Sequence, residues 1–220
     1  MSVSENLKNL HQELPEEIKI VAVSKTKPEE IIMEAYRAGH KVFGENKVQE
    51  LMRKYENLPK DIEWHMVGHL QTNKVKYIAP FISLIHSVDS LKLLNTIDKE
   101  ASKNNRIIDC LLQLRIAKEE TKYGLTFEEI TDIISSKVFK ELKNVRLIGL
   151  MGMATFTSDE AMISSEFNYL AKCFYELKKT FYKDSEYFRE LSIGMSDDYH
   201  LAIQTGSTMI RIGSLIFGAR

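Results

Sequence analysis

The sequence predicts an α/β fold, a single closed (β/α)8 barrel of the TIM type over residues 1–220. Eight short apolar or β-branched segments alternate with longer segments of helical period, which is typical of parallel strands joined by crossover helices. No Pro/Gly/Ser-rich linker divides this series. The first strand is not followed by a GxGxxG motif, the usual dinucleotide signature of an open doubly wound sheet. The open sheet stays as the alternative.

The individual elements follow from hydrophobic period and capping signals. The clearest helix is predicted over 158–181, where apolar residues recur at three- and four-residue spacing. Thr126 and Thr157 each precede a glutamate by three positions, a capping-box pattern that predicts a helix start. The predicted strands are 18–24, 41–44, 63–68, 84–87, 107–114, 146–151, 190–193 and 208–212.

Composition narrows the classes of function. Lys+Arg (30) and Asp+Glu (31) give a net charge of −1, so no global positive field would hold nucleic acid or an acidic membrane surface. No apolar run approaches the ~18 residues that a membrane span needs, and the amino terminus lacks the apolar core of a signal peptide. Cys110 and Cys173 lie in apolar segments, as buried thiols of a reducing compartment do. We expect a soluble, cytoplasmic protein.

Lys25 ends the first predicted strand. The apolar run 18–24 leads directly to it, and Pro28 opens a helix three residues later. Active sites of (β/α)8 barrels are built at the carboxyl ends of the strands. An amine held there against apolar walls becomes nucleophilic enough to condense with an aldehyde. The alternative is a lysine that extends from the barrel mouth into solvent.

Glycine-containing loops follow the last two predicted strands. The first breaks at Gly194 and places Ser196 as the expected N-cap of a helix, and the second contains Gly213. Helix N-termini present free N–H groups, and barrels often bind phosphate on the loops after strands seven and eight. The two loops therefore predict an anion site, although capping alone explains Ser196 equally well.

Arg211 is the single charge in the apolar alternation of the last strand. It should share a face with Met209 and Gly213, and one face of a barrel strand is the packed interior. A buried charge needs a partner. That partner is either a structural ion pair or a ligand whose acceptor atom lies over the barrel centre.

Together, seven segments resemble the pyridoxal phosphate homeostasis protein family (the YggS/PROSC group). Each is short, but they occur in the family's order and at its spacing along nearly the whole chain. The segments are AVSKTKP (22–28), FGENKVQE (43–50), WHMVGHLQTNK (64–74), KYGL (122–125), GLMGMA (149–154), LSIGMSDD (191–198) and GSTMIRIGSLIFGAR (206–220).

The resemblance implies a barrel like the N-terminal domain of alanine racemase, with pyridoxal 5′-phosphate (PLP) held as a Schiff base on Lys25. It implies that Arg211 faces the pyridine nitrogen. The remaining implied positions bind the phosphate (Ser196, Ser207, Thr208 and the backbone of Gly213) or line the cofactor pocket (Asn46, His65 and Met195).

Some positions near the pocket carry a plainer interpretation or depart from the family. His65 and His69 are four residues apart on a strand and the loop after it, not on one helical face, so no metal site is predicted. Trp64 is expected to pack between barrel and helices. Many relatives have Pro or Thr at the position of His69 and Pro at that of Phe156, which makes contacts at the pocket mouth less certain.

The implied chemistry favours a carrier over an enzyme. Enzymes that use PLP as an electron sink place a carboxylate beside the pyridine nitrogen. A guanidinium only donates hydrogen bonds, so Arg211 would keep that nitrogen unprotonated and the sink weak. Racemisation also needs a second acid/base, which in alanine racemase resembles a tyrosine from an additional β-domain. No catalytic residue is therefore assigned.

Two other functions stay open. One is an amino-acid racemase that works without the second domain, and the other is a lysine Schiff-base aldolase that never binds PLP. The aldolase would leave Ser196, Ser207 and Arg211 unexplained. The expected partners are PLP and, beyond it, amino acids and PLP-dependent apoenzymes, with no nucleic acid and no membrane. The expected state is a monomer.

Overall fold

The structure, a computed structural model that describes residues 2–117 and 123–218, contains a closed barrel of parallel strands. Each strand pairs with its neighbours in chain order, and the first closes on the last. This confirms the predicted (β/α)8 barrel and excludes the open sheet. The strands are β1 (Lys19–Val23), β2 (Val42–Glu45), β3 (Glu63–Met66), β4 (Leu84–Val88), β5 (Ile108–Gln113), β6 (Val145–Met151), β7 (Glu190–Met195) and β8 (Met209–Ile212).

Helices connect the strands, as parallel pairing requires. A short 3₁₀ turn, Thr72–Lys74, precedes the fourth helix. The helices are α1 (Val3–Glu13), α2 (Glu29–Arg37), α3 (Val48–Asn57), α4 (Val75–Ile78), α5 (Leu91–Lys103), α6 (Phe127–Ser135), α7 (Lys137–Lys140), α8 (Glu160–Phe181), α9 (Tyr199–Gln204) and α10 (Ser214–Phe217).

Two of the predicted helix starts differ in outcome. The Thr126 capping box is present at the start of α6, where its hydroxyl and the Glu129 carboxylate each accept the other's backbone N–H. At α8 the prediction is wrong, because Asp159 is the N-cap and accepts the N–H of Met162. Thr157 instead accepts the N–H of Asp159. An aspartate two residues closer to the helix takes the capping position.

The apolar core has two layers that follow the strand period of two. On β1, Ile20 and Ala22 pack outward against the helices, while Val21 packs inward. Trp64 is fully buried in the outer layer, as predicted. The inner layer is small and comprises Val21, Val67, Leu84, Leu111, Ile148, Met151 and Met209.

Parts of two family-like segments, Lys122 of KYGL and Ala219 and Arg220 at the carboxyl end, lie outside the described residues. Within 2–117 and 123–218, the structure has no helix long and apolar enough to cross a membrane. Both cysteines are buried, as expected.

Candidate cofactor-binding site

A cavity of about 610 Å³ opens at the carboxyl end of the barrel. It is lined by polar groups from β1, β2, β7 and β8 or the loops that follow them, with apolar side chains between. Six of the predicted site residues lie in its wall: Lys25, Asn46, Met195, Ser196, Arg211 and Gly213. The cavity also includes Val23, Lys27, Val67, Met153, Phe156, Asp197, Ser214 and Gly218.

The backbone on either side of Lys25 is clamped by a buried ion cluster. Lys54 of α3 is fully buried and donates to the Ser24 carbonyl at 2.8 Å. Lys54 also donates to Glu45 at 2.6 Å and to Glu50 at 2.7 Å. Glu50 in turn accepts the N–H of Thr26 at 2.7 Å. The carbonyl before Lys25 and the amide after it are therefore both fixed.

This clamp supports an uncommon backbone conformation. Thr26 has φ of 64°, in the left-handed region that a β-branched residue rarely adopts. Burial alone would raise the pKa of Glu50, but hydrogen bonds from Lys54 and the Thr26 amide outweigh it and lower that pKa. Glu50 is thus a carboxylate at neutral pH and can hold the strained turn.

Arg211 projects into the barrel from β8, on the face of Met209, as the alternation predicts. It is buried, and burial lowers its pKa to about 10, so the guanidinium remains cationic at neutral pH. Its Nη1 donates to the carbonyl and hydroxyl oxygens of Ser192, both at 2.7 Å, and its Nη2 donates to the Gly152 carbonyl at 2.9 Å. Among the described residues no carboxylate forms an ion pair with it.

A guanidinium has five N–H groups. Three are used in the contacts with Ser192 and Gly152, and within residues 2–117 and 123–218 the other two have no protein acceptor. Because Arg211 also lines the cavity, it can donate to an acceptor atom of a bound molecule. Of the two explanations left open by the sequence, the structure favours the ligand over the ion pair.

The loops after β7 and β8 meet at one side of the cavity. The Ser196 hydroxyl accepts the N–H of Gly213 at 3.3 Å, and Ser214 follows at the start of α10. A Cβ on Gly213 would lie 3.3 Å from the Val23 carbonyl oxygen, so this backbone passes close to β1. Hydroxyl and amide groups of this kind are suited to an anionic oxygen.

Ser196 is not a helix cap, which corrects the sequence-based expectation. The helix α9 begins at Tyr199, with Asp198 at the N-cap position. The Asp198 side chain is buried and accepts the N–H of Met195 at 2.6 Å, and burial raises the pKa of this carboxyl. Since this backbone bond occupies Asp198, Ser196 stays in the turn that lines the cavity.

Asn46 and Met195 lie in the cavity wall, as the resemblance implies. Asn46 follows β2 and packs against Gly68, where an added Cβ would lie 2.4 Å from the Asn46 carbonyl oxygen. A glycine is therefore required for this close approach. Phe156 lies at the cavity mouth with 87% of its surface exposed, next to Met153 and Met195 in the wall.

The implied placement of Ser207 and Thr208 at the phosphate is wrong for this structure. Both residues precede β8 and lie at the amino end of the barrel, where the Thr208 carbonyl accepts the N–H of Lys19. At about 3.3 Å per strand residue, the six positions from Lys19 to Lys25 separate them from the cavity by on the order of 20 Å. Their hydroxyls are used locally: Ser207 donates to the Ile193 carbonyl, and Thr208 donates to Glu190.

His65 also lies outside the cavity wall, one inward-facing position before Val67 along the chain. It is buried, and its Nδ1 is 3.1 Å from Nε2 of His86. Nδ1 of His86 is in turn 3.0 Å from the Ser192 hydroxyl. Burial lowers the pKa of His65 to about 3 and that of His86 well below its ordinary value. His65 therefore belongs to a neutral polar chain inside the barrel that ends at Arg211.

Sequence reasoning missed Ser214, Lys54 and the pair of His86 and Ser192. Ser214 could have been found, because it follows Gly213 in the same loop after strand eight. Lys54 offered no signal, since a lysine on an amphipathic helix is normally solvent-exposed. His86 and Ser192 are isolated polar residues in apolar strands, and only the closure of the barrel brings them together.

Comparison with known proteins defines the family. The model of the alanine racemase N-terminal domain matches residues 2–220. The pyridoxal phosphate homeostasis protein of Aquifex aeolicus is 41% identical over 203 residues, which cover 92% of this chain and 87% of that protein. The chain belongs to the pyridoxal phosphate homeostasis protein family. This confirms the resemblance identified from the seven sequence segments.

Solved structures agree with this family. PipY of Synechococcus elongatus, determined with PLP bound, is 33% identical and superposes with a TM-score of 0.87, covering 99% of this chain and all (100%) of that chain. An alanine racemase of Clostridium difficile superposes with a TM-score of 0.77 at 15% identity, covering 100% of this chain and 56% of that chain. The racemase comparison shows a shared barrel fold alone. Family and fold thus agree with the architecture built up above.

Proposed function

We propose that this protein binds PLP in the cytoplasm, holds it covalently on Lys25 and serves cofactor homeostasis with little or no catalytic turnover. The observation that carries the proposal is the arrangement of one cavity: the Lys25 amine on one side, Arg211 at the base, and Ser196, Gly213 and Ser214 together at the loops after β7 and β8. The PLP-bound structure of PipY, a relative of 33% identity, supports it.

The donor set fits the chemistry of PLP. The cofactor supplies an aldehyde and, when its ring nitrogen is protonated, an electron sink. In this chain the amine of Lys25 would replace the aldehyde oxygen, which leaves as water. The hydroxyls of Ser196 and Ser214 and the amide of Gly213 would hold the phosphate. Arg211 would donate to the ring nitrogen, and its charge would oppose protonation there.

The same wall supports low turnover. Proton transfer at a substrate carbon needs a positioned acid or base, typically worth ~10²–10⁴ in rate. Besides Arg211, the described wall residues that can titrate are Lys25, Lys27 and Asp197. Lys27 already donates to the carbonyl oxygens of Phe217 and Gly218, and Asp197 is exposed. Neither is a tyrosine-like partner on the face opposite Lys25.

A PLP titration of the wild type and the Lys25→Ala variant tests the proposal. We expect the wild type to develop a visible absorption band distinct from that of free PLP, and Lys25→Ala to lack it while keeping its circular dichroism spectrum. The same band in Lys25→Ala would contradict the assignment. For turnover, the loaded protein is incubated with L-alanine in deuterated water. Racemisation at about 1 s⁻¹ or faster, the lower end of typical enzymes, would favour a racemase instead.

Transfer of PLP to apoenzymes, an encounter with amino acids and a monomeric state complete the proposal. The monomer can be checked by light scattering, and transfer by reactivation of a PLP-free aminotransferase.

A further inference from the structure

The charge of Arg211 is held entirely by neutral acceptors. The two contacts with Ser192 and the one with Gly152 are to uncharged oxygens, inside a barrel interior that is otherwise apolar. A cation in such a place is expensive unless its hydrogen bonds are well satisfied. The strength and direction of the Ser192 contact therefore decide how firmly the guanidinium is fixed.

The direction of every bond in this chain follows from Arg211, which can only donate. The Ser192 hydroxyl oxygen accepts from Arg211 at 2.7 Å, so its own hydrogen must go elsewhere. Its other partner is Nδ1 of His86 at 3.0 Å, which must then carry a lone pair. His86 consequently bears its hydrogen on Nε2.

The second histidine continues the same logic. Nε2 of His86 is 3.1 Å from Nδ1 of His65, so His65 accepts there and also bears its own hydrogen on Nε2. The reverse direction fails: a hydrogen on Nδ1 of His86 would point at a Ser192 oxygen already facing an Arg211 donor. The Ser192 hydrogen would then have no acceptor among the described residues. Buried polar hydrogens without a partner are costly.

We propose that Ser192 and His86 are positioning residues that fix the Arg211 guanidinium in its cavity-facing orientation through a chain of hydrogen bonds running from Arg211 to Ser192, His86 and His65. Donation by Ser192 to His86 makes the Ser192 oxygen a better acceptor for Arg211, because consecutive hydrogen bonds polarise one another. The inference deepens the proposed function, in which Arg211 meets the ring nitrogen of PLP, but it concerns the cofactor-free protein.

Nitrogen NMR of the ¹⁵N-labelled, cofactor-free full chain tests the direction of the chain. We expect His86 and His65 to be neutral Nε2–H tautomers at neutral pH, each with a pyridine-type Nδ1. The signals are assigned by their loss in His86→Asn and His65→Asn. A hydrogen on Nδ1 of His86 would overturn the proposal.

The variants test the positioning itself through the Arg211 side-chain signals, assigned by their loss in Arg211→Lys. In the wild type we expect separate Nη1 and Nη2 signals, because the guanidinium is fixed. Ser192→Ala and His86→Leu should merge them by rotation, whereas His86→Asn should keep them separate, since its amide oxygen can replace Nδ1 as acceptor. Separate signals in Ser192→Ala would refute the proposal even if His86→Leu failed to fold.

The PLP experiments give an independent outcome. If the wild type fails to bind PLP while the tautomers and the Arg211 signals behave as expected, the proposed function fails and the positioning role stands. If PLP binds to Ser192→Ala with unchanged affinity and spectrum and the Arg211 signals are also unchanged, the positioning role fails and the proposed function stands.

Discussion

The cavity has a cation on each of two sides, and the barrel supports them by opposite means. Around Lys25 the backbone is held by ions, since Lys54 bridges Glu45 and Glu50 and both flanking peptide groups are bonded. Around Arg211 the support is neutral, through Ser192 and backbone carbonyls. Carboxylates next to Lys54 neutralise its charge within the protein, whereas the charge of Arg211 stays available to a ligand. The ionic side fixes a backbone, and the neutral side presents a charge.

The ionic side should be the more sensitive to loss of one partner. Lys54→Met removes a fully buried cation and leaves Glu45 and Glu50 uncompensated, which we expect to cost about 3–5 kcal/mol of unfolding free energy. Urea denaturation followed by circular dichroism measures it. The matched control is Lys137→Met, at a side chain 90% exposed, which should change stability by less than about 0.5 kcal/mol. A loss at Lys54 no larger than the control's would refute a structural ion clamp.

The neutral side should instead respond to acid. The folded pKa of His65 is about 3 and that of His86 is lowered well below its ordinary value, both by burial, against about 6.5 in the unfolded chain. Below pH 6.5 the unfolded chain binds protons that the folded chain does not. The stability contributed by each neutral histidine is therefore complete above pH 6.5 and lost as pH falls, by about 1.4 kcal/mol per pH unit.

The variant His86→Asn isolates one of these contributions. Between pH 6.5 and 5, its unfolding free energy should fall less steeply than that of the wild type, by about 1.4 kcal/mol per pH unit. Urea titrations at several pH values give both slopes, and carboxylates common to the two proteins cancel in the difference. Equal slopes would mean that His86 is not held neutral by burial.

The smallest effects should distinguish the two ends of the barrel. Ser196→Ala and Ser214→Ala each remove a hydroxyl from the cavity, and a charge-assisted hydrogen bond is worth about 1.5–3 kcal/mol, or roughly 10- to 150-fold in affinity. Ser207→Ala makes the same chemical change at the other end and should leave the affinity for PLP unchanged. Fluorescence titration with PLP, and with pyridoxal as the ligand lacking phosphate, measures these differences. Weaker PLP binding in Ser207→Ala alone would restore the original sequence-based assignment.

The fold could be predicted from the sequence because strand period and helix period are local signals. The same reasoning placed Lys25 and Gly213 correctly, since each follows a recognisable strand and barrels build sites there. It failed for Ser207 and Thr208, which resemble a phosphate-binding segment but precede their strand. Lys54, His86 and Ser192 could not be predicted, because their roles depend on contacts between distant strands and helices that no local pattern encodes.

The covalent link to Lys25 is the central claim, and peptide mapping after reduction tests it most directly. The protein is incubated with PLP, reduced with borohydride, digested and analysed by mass spectrometry. We expect the pyridoxyl phosphate adduct on the peptide containing Lys25 and its loss in Lys25→Ala. Lys27, which lies two residues away in the same cavity wall, serves as the internal control. An adduct confined to Lys27 or to lysines outside the cavity would contradict the account.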